Sequence, residues 1–281
     1  MNSVSLSSKP GPIAVFDSGY GGLTVLEHLV AKLPKYDFIY LGDNARTPYG
    51  TRSYQTVYEF TLECVRYLFD AGCPLVILAC NTASAKALRT IQQHDLPLLD
   101  ASKRVLGVIR PSVEQVGLLT KTGHVGILGT TGTVNSESYR LEINKLFPEI
   151  QVFQQACPMW VPLVENGEYQ DEGADFFIKR DLGLLFAQSE KIDTIILGCT
   201  HYPLLINKIR QYLPSHIQVL SQGEVVAHSL KDYLQRHTEM AKRCSQFTQR
   251  QFLTTDNPET FSQLASLFLG QSIDAQKISL G

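Results

Sequence analysis

Short apolar runs, each closed by a glycine-containing turn and followed by an amphipathic stretch, recur along the chain. That is the pattern of α/β proteins whose strands are buried on both faces. PIAVFDSGYGGLTVLEHLVAKL, residues 12–33, predicts a strand ending at Asp17-Ser18, a turn with Gly19, Gly21 and Gly22, and an amphipathic helix. YDFIYLGDNARTPYG, 36–50, predicts a second strand and a long turn; a helix then runs from Thr51 or Ser53 towards Gly72, with Val57, Phe60, Cys64, Tyr67 and Leu68 on one face. PLVILACNTASA, 74–85, gives a third strand that delivers Cys80 to a helix over 82–93. A short apolar segment follows at Leu96–Leu99, and residues 101–119 read as a helix broken near Pro111 that leads out of this half.

The pattern then restarts. HVGILGTTGTVNS, 124–136, repeats the opening strand and turn with Gly129 where the first copy has Asp17, and a helix follows over 134–147. IQVFQQACPMWVPLVENGE, 150–168, reads as a strand and an irregular or helical stretch ending at Glu165 and Gly167; a helix covers 171–190. In TIILGCTHYPLL, 194–205, Gly198 ends a buried strand, Cys199 follows, and Pro203 suits the first turn of a helix at 204–213. Two more strand–turn–helix units, 217–237 and 250–270, have no counterpart in the second half and are expected to fold back on the first. The expected architecture is therefore α/β, with two pseudo-symmetric doubly wound domains, mainly parallel sheets and the active site in the cleft between them. The boundaries are 12–104 plus 219–281 for the first domain and 105–218 for the second, with 1–11 a flexible polar leader.

With 281 residues, 44% hydrophobic and 19% charged, the composition is that of a globular protein with room for two cores. A net charge of −2 and no basic run argue against a nucleic-acid partner. No apolar stretch approaches the ~20 residues of a membrane span, and residues 1–11 lack a signal-peptide core, so the expectation is a cytoplasmic protein with its six cysteines reduced. They form no C-x-x-C pair and no zinc-type cluster, so no metal is expected.

The repeat gives the cysteines their interest. A lone cysteine after a strand is most often a core residue, and Cys64 and Cys73 read that way; Cys157, Met159 and Trp160 likewise read as packing. Cys80 and Cys199, however, occupy corresponding strand ends, where ligands bind in α/β sheets and helix-start amides favour a thiolate or a carboxylate ligand. Two thiols facing each other could take a proton from one side of a carbon and return one to the other. Asp17, Glu165 and His201 are the titratable groups nearby, although Asp17 also suits a turn cap and His201 a structural hydrogen bond. Ser18, Asn81, Thr82, Thr130 and Thr200 offer hydroxyls and amides to a polar substrate, and Pro48-Tyr49-Gly50 a further hydroxyl and backbone amides. The glycine turn matches neither G-x-G-x-x-G nor a P-loop, so its glycines serve close approach of a small ligand.

DSGYGGLTV, GDNARTPYG, ACNTASA, VPLVENG and GCTHYPLL, in that order, resemble the cofactor-independent aspartate/glutamate racemase family, its glutamate-specific members most closely. The resemblance implies a two-domain α/β isomerase that interconverts L- and D-glutamate without pyridoxal phosphate or another cofactor, supplies D-glutamate for peptidoglycan, and pairs as a homodimer. It implies Cys80 and Cys199 as alternating acid and base, assisted by Asp17, Glu165 and His201. Substrate contacts would come from Asp17, Ser18, Tyr49, Gly50, Asn81, Thr82, Thr130, Thr200 and His201. The chain departs from the family at Ser221-Gln222-Gly223, where an acidic residue and Ser usually precede the Gly. Aspartate differs from glutamate by one methylene, worth only ~1–3 kcal/mol to a pocket, so an aspartate racemase is the neighbouring reading. An acidic-metabolite-binding protein would need the polar cradle but not two sulfurs. A thiol redox sensor would need the two Cα atoms within ~4.4–6.8 Å.

Overall fold

The apolar runs become strands. A computed structural model of the chain describes residues 9–280. β1 (Ile13–Asp17), β2 (Phe38–Gly42), β3 (Leu75–Leu78), β4 (Arg104–Gly107), β9 (Arg250–Thr254) and β10 (Ala275–Lys277) form one sheet in the order β10-β9-β2-β1-β3-β4. β5 (His124–Gly129), β6 (Gln151–Ala156), β7 (Thr194–Gly198) and β8 (Gln218–Leu220) form a second in the order β6-β5-β7-β8. Every pairing is parallel. The order β2-β1-β3-β4 maps onto β6-β5-β7-β8, which is the duplication expected of the sequence. In each half the chain lays its second strand on one side of the first and its third on the other, so a switch point opens between β1 and β3 and again between β5 and β7.

β1, β2, β3 and β7 are buried along their whole length, because helices cover both sheet faces. One apolar cluster is continuous between the halves, running from Val15, Tyr20 and Leu23 to Trp160, Leu197 and Tyr202. Among the described residues no helix is long and apolar enough to cross a membrane.

Several local expectations change. Residues 101–119 hold a strand, β4, before the helix Ile109–Leu119. Pro111 stands in the first turn of that helix, where a missing N–H costs no hydrogen bond, so it starts the helix instead of breaking it. Leu96–Leu99 is helical, the end of an irregular helical run that includes a π-helical turn at Ile91–Asp95. The boundary expected between 218 and 219 falls inside β8, which pairs with β7. β9 and β10 join the first sheet, β9 beside β2. Most of the leader lies outside the described residues, but Gly11 is fixed by a bridge to Cys244, with its N–H donating to Arg243 O at 2.9 Å.

The start of β7 is tied to the turn entering β5 by one carboxylate. Asp193 accepts hydrogen bonds from the Thr120 hydroxyl at 2.6 Å, the N–H groups of Lys121 and Thr122 at 2.7 and 2.9 Å, and the Thr194 hydroxyl at 3.1 Å. Partial burial pushes this carboxyl up, but the four donors win and hold it down at about 2. Asp193→Ala is expected to lower stability by about 1–3 kcal/mol in urea titrations at pH 7. Because the folded value lies below the ordinary 3.8, this stabilisation is complete above that value and disappears as pH falls through about 2. The wild-type and variant unfolding midpoints should therefore converge in acid.

Candidate active site

β1 ends in Asp17, whose side chain is fully buried and accepts a hydrogen bond from Gly19 N–H at 3.0 Å. Burial raises its pKa against the opposing pull of His201 and the N–H groups of Gly19 and Gly22. Next to it, the Ser18 hydroxyl lies 3.4 Å from the sulfur of Cys80. Cys80 caps the helix Asn81–Lys86, and its sulfur accepts from Ala83 N–H at 3.4 Å. The thiol is pushed up to about 12, first by burial and then by the Asp17 carboxylate. Ser18 and Ala83 do pull the thiol down, but burial outweighs them.

Cys199 follows β7 as Cys80 follows β3, and its surroundings are different. His201 Nδ1 lies 3.9 Å from the Cys199 sulfur, and His201 Nε2 lies 3.0 Å from Glu165 Oε1. Burial draws the imidazole down, yet the sulfur and the carboxylate outweigh it and raise His201 to about 10. His201 is thus held as a cation between Cys199 and Glu165. Packing explains the alignment. Glu165 ends the helix Trp160–Glu165, whose first residue packs on Tyr202 with ring centroids 4.8 Å apart, and the Tyr202 hydroxyl donates to Cys157 O at 3.0 Å.

The two halves meet over these groups. Thr82 and Thr130 share a hydroxyl hydrogen bond of 3.0 Å, and Gly132 N–H donates to Gly50 O at 2.7 Å. The Thr24 hydroxyl donates to Thr200 O at 3.0 Å, and the Thr200 hydroxyl to Asp17 Oδ1 at 3.4 Å. Cys80 and Cys199 are only 5% and 6% exposed. Gly21 is required by the close approach of the halves, since a Cβ there would stand 2.3 Å from Thr200 Oγ1 and 2.5 Å from His201 Nδ1. A cavity of about 520 Å³ lies elsewhere, edged by Arg89, Arg110 and Glu142, and neither sulfur lines it.

The structure thus brings Asp17, Ser18, Cys80, Thr82, Thr130, Cys199, Thr200, His201 and Glu165 into one cluster, with Gly50 at its edge and Asn81 beside Cys80. Tyr49 is the exception. Its hydroxyl donates to buried Asp43 at 2.5 Å, so it braces the loop, and only the backbone at Tyr49-Gly50 faces the seam between halves. The buried partners of Asn81, Gln222 and Tyr139, and Ser112 behind Gln222, were not legible as site residues. Gln222 was marked only by its departure from the family pattern, and Tyr139 carries no motif. Among the described residues no group of three His, Cys, Asp or Glu side chains could hold a metal ion.

Duplicated parallel α/β halves, each presenting one thiol at a corresponding strand end to a shared polar site, define a two-lobed α/β fold with paired cysteines. Residues 18–230 match the model of the Asp/Glu/hydantoin racemase family. A glutamate racemase of Geobacter metallireducens is 38% identical over 269 residues, 95% of this chain and 96% of that protein. A glutamate racemase isoform from Bacillus anthracis superposes with a TM-score of 0.87 at 34% identity, covering 96% of this chain and 98% of the other. The Francisella tularensis glutamate racemase, solved in complex with D-glutamate, superposes with a TM-score of 0.86 at 32% identity, covering 98% and 99%. The chain belongs to the Asp/Glu/hydantoin racemase family and is an isomerase acting on a small molecule.

The raised His201 has a consequence for stability. A folded value near 10 against an ordinary 6.5 means that the folded state binds more protons between those values, so its stabilisation is complete below pH 6.5 and is lost as pH rises towards 10. His201→Gln should lower the melting temperature most at pH 6, and the gap to wild type should narrow steadily by pH 10.

Proposed function

We propose that the chain interconverts L- and D-glutamate, with Cys80 and Cys199 as the two proton-transferring groups. The observation that supports this most is the unequal charge around two equivalently placed thiols: Cys80 beside a carboxylate, and Cys199 beside an imidazolium. A racemase of this type needs one sulfur carrying a proton and another that accepts one. Burial and Asp17 keep the proton on Cys80. On the other side, the His201 cation stabilises negative charge on the Cys199 sulfur when its proton has left.

In one direction the Cys199 thiolate removes the α-proton, forming an S–H bond as the Cα–H bond breaks, and Cys80 delivers its proton to the opposite face of the carbanion. The reverse direction exchanges the roles. Each turnover leaves the two sulfurs with reversed protonation, and proton exchange with water resets them. Asp17, Glu165 and His201 tune the sulfurs. Ser18, Asn81, Thr82, Thr130, Thr200 and the backbone at Tyr49-Gly50 hold the carboxylates and the amino group. Both sulfurs are almost fully covered, so substrate enters when the halves part. This reading carries with it the supply of D-glutamate for peptidoglycan, a cytoplasmic location and assembly as a homodimer.

Incubation of L-glutamate with the enzyme in heavy water should give D-glutamate with deuterium at Cα; D-product that retains protium throughout would sink the two-thiol route. Cys80→Ala and Cys199→Ala should each reduce racemisation in both directions by at least ~10²–10⁴-fold, the worth of a positioned acid or base. A binding protein without chemistry would show no turnover at all and would keep its affinity in both variants. L-aspartate run in parallel should turn over far more slowly, and equal rates would make the substrate assignment wrong.

A further inference from the structure

The chain crosses between the sheets twice, once after β4 through Val108 into the helix Ile109–Leu119, and once after β8 into the helix Gln222–Arg236. Both crossings meet at the buried carboxamide of Gln222. Its Oε1 accepts from Asn81 Nδ2 at 2.5 Å. Its Nε2 lies 2.7 Å from the Tyr139 hydroxyl, 2.9 Å from Ser112 Oγ and 3.3 Å from Val108 O. The Tyr139 hydroxyl donates to Asn81 Oδ1 at 2.7 Å, which closes a ring of Asn81, Gln222 and Tyr139. Gly223 lets this helix start approach the first domain, because a Cβ there would stand 2.2 Å from His28 Cδ2.

A ring of two amides and a hydroxyl can run in either sense, and reversing it turns both amides over. Here the sense is fixed from outside. Val108 O is a backbone carbonyl that can only accept, and the Ser112 hydroxyl already donates to it at 2.8 Å, so the Gln222 atom facing both must be the N–H₂ group. Gln222 therefore presents its oxygen to Asn81, Asn81 presents its nitrogen in return, and Tyr139 takes Asn81 Oδ1. One Nδ2 hydrogen of Asn81, on the residue next to Cys80, is left outside the ring with no partner among the described residues.

We propose that Gln222 is a positioning residue that fixes the amide of Asn81 with an N–H donor, not a carbonyl, available to the substrate carboxylate. This rests on the reading of the site as a glutamate racemase and specifies one of its contacts. The geometry also makes the effect independent of which enantiomer is bound, because the donor holds a carboxylate that both share. Loss of it removes binding present equally in ground and transition states, which raises KM and leaves kcat nearly unchanged.

The test is steady-state kinetics in both directions on the full-length protein, for wild type, Gln222→Met and Tyr139→Phe, with melting temperature and side-chain amide signals by ¹⁵N NMR. Gln222→Met keeps the volume and removes both amide groups, so KM should rise on the order of tenfold for each enantiomer with kcat within about threefold, the size of one hydrogen bond to a charged group. Tyr139→Phe leaves Val108, Ser112 and Gln222 in place to orient Asn81, and its KM should rise less than about threefold. The Asn81 amide protons should exchange slowly in wild type and Tyr139→Phe and faster in Gln222→Met. An unchanged KM in folded Gln222→Met, or a KM that follows melting temperature alone in both variants, overturns the proposal. A wild type that fails to racemise glutamate but shows the slowly exchanging Asn81 amide would leave the ring standing and remove the racemase reading instead.

Discussion

The proposed reaction asks two identical side chains at equivalent positions to behave differently, and the halves of this protein are accordingly alike in backbone and unlike in charge. Duplication supplies the equivalence: β3 and β7 occupy the same place in their sheets, and each hands a cysteine to the turn that follows. The difference comes from the neighbouring strand ends. β1 ends in a carboxylate, and the corresponding β5 ends in Gly129, so only the first thiol is packed beside an acid on its own sheet. The second receives its charge partner from His201, two residues on, and from Glu165 beyond it. Had β5 also carried an acid, both thiols would have stood beside a carboxylate, and the contrast in neighbouring charge would be lost.

The parts of the chain that look peripheral hold this asymmetry in place. Trp160 and Tyr202 lock the helix bearing Glu165 to the turn bearing His201, and an error of an ångström there would separate the cation from the carboxylate. The tail that extends the first sheet has a similar use. β9 pairs with β2, Thr254 Oγ1 donates to Asn44 Oδ1 at 3.0 Å, and Thr255 Oγ1 donates to Asp43 Oδ1 at 2.8 Å. Asp43 also binds the Tyr49 hydroxyl and Arg46 Nε, so the tail stiffens the loop that brings Gly50 against Gly132. Tyr49 thereby acts through its ring and hydroxyl on the loop, and through its backbone on the seam.

The strand ends were legible because a buried parallel strand, the glycine that ends it and the residues just past it form one local pattern. Asp17, Cys80 and Cys199 followed from that pattern alone, and the duplication of the fold followed from its recurrence. β4 was missed because four residues beginning with an exposed Arg104 carry too little apolar signal, and Pro111 drew the reading towards a broken helix. The protonation of Cys80 was not legible for another reason. Capping donors can be counted from sequence, whereas the depth of burial that overrides them depends on how the second half closes on the first. The orientation of Asn81 was beyond reach altogether, since it is set by a carbonyl at Val108 and an amide at Gln222 that are distant along the chain.

Beside the apolar cluster shared by the halves, the hydrogen bonds joining them fall into two physical kinds, and the division fits the proposed opening for substrate. Thr82 with Thr130 and Thr24 with Thr200 are bonds made by hydroxyls, and Gly132 with Gly50 is a single amide bond at the edge. Each is replaceable by water at a net cost of about 0.5–1.5 kcal/mol, so parting the halves there is cheap. The ring of Asn81, Gln222 and Tyr139 is buried, and each member bonds the other two, so opening it would strand several polar groups at once. Of these hydrogen bonds, the hydroxyl seam costs less to break than the ring. Asn81 would then keep its donor in place while the second half, with Cys199 and His201, moves away from and back onto a substrate already held beside Cys80.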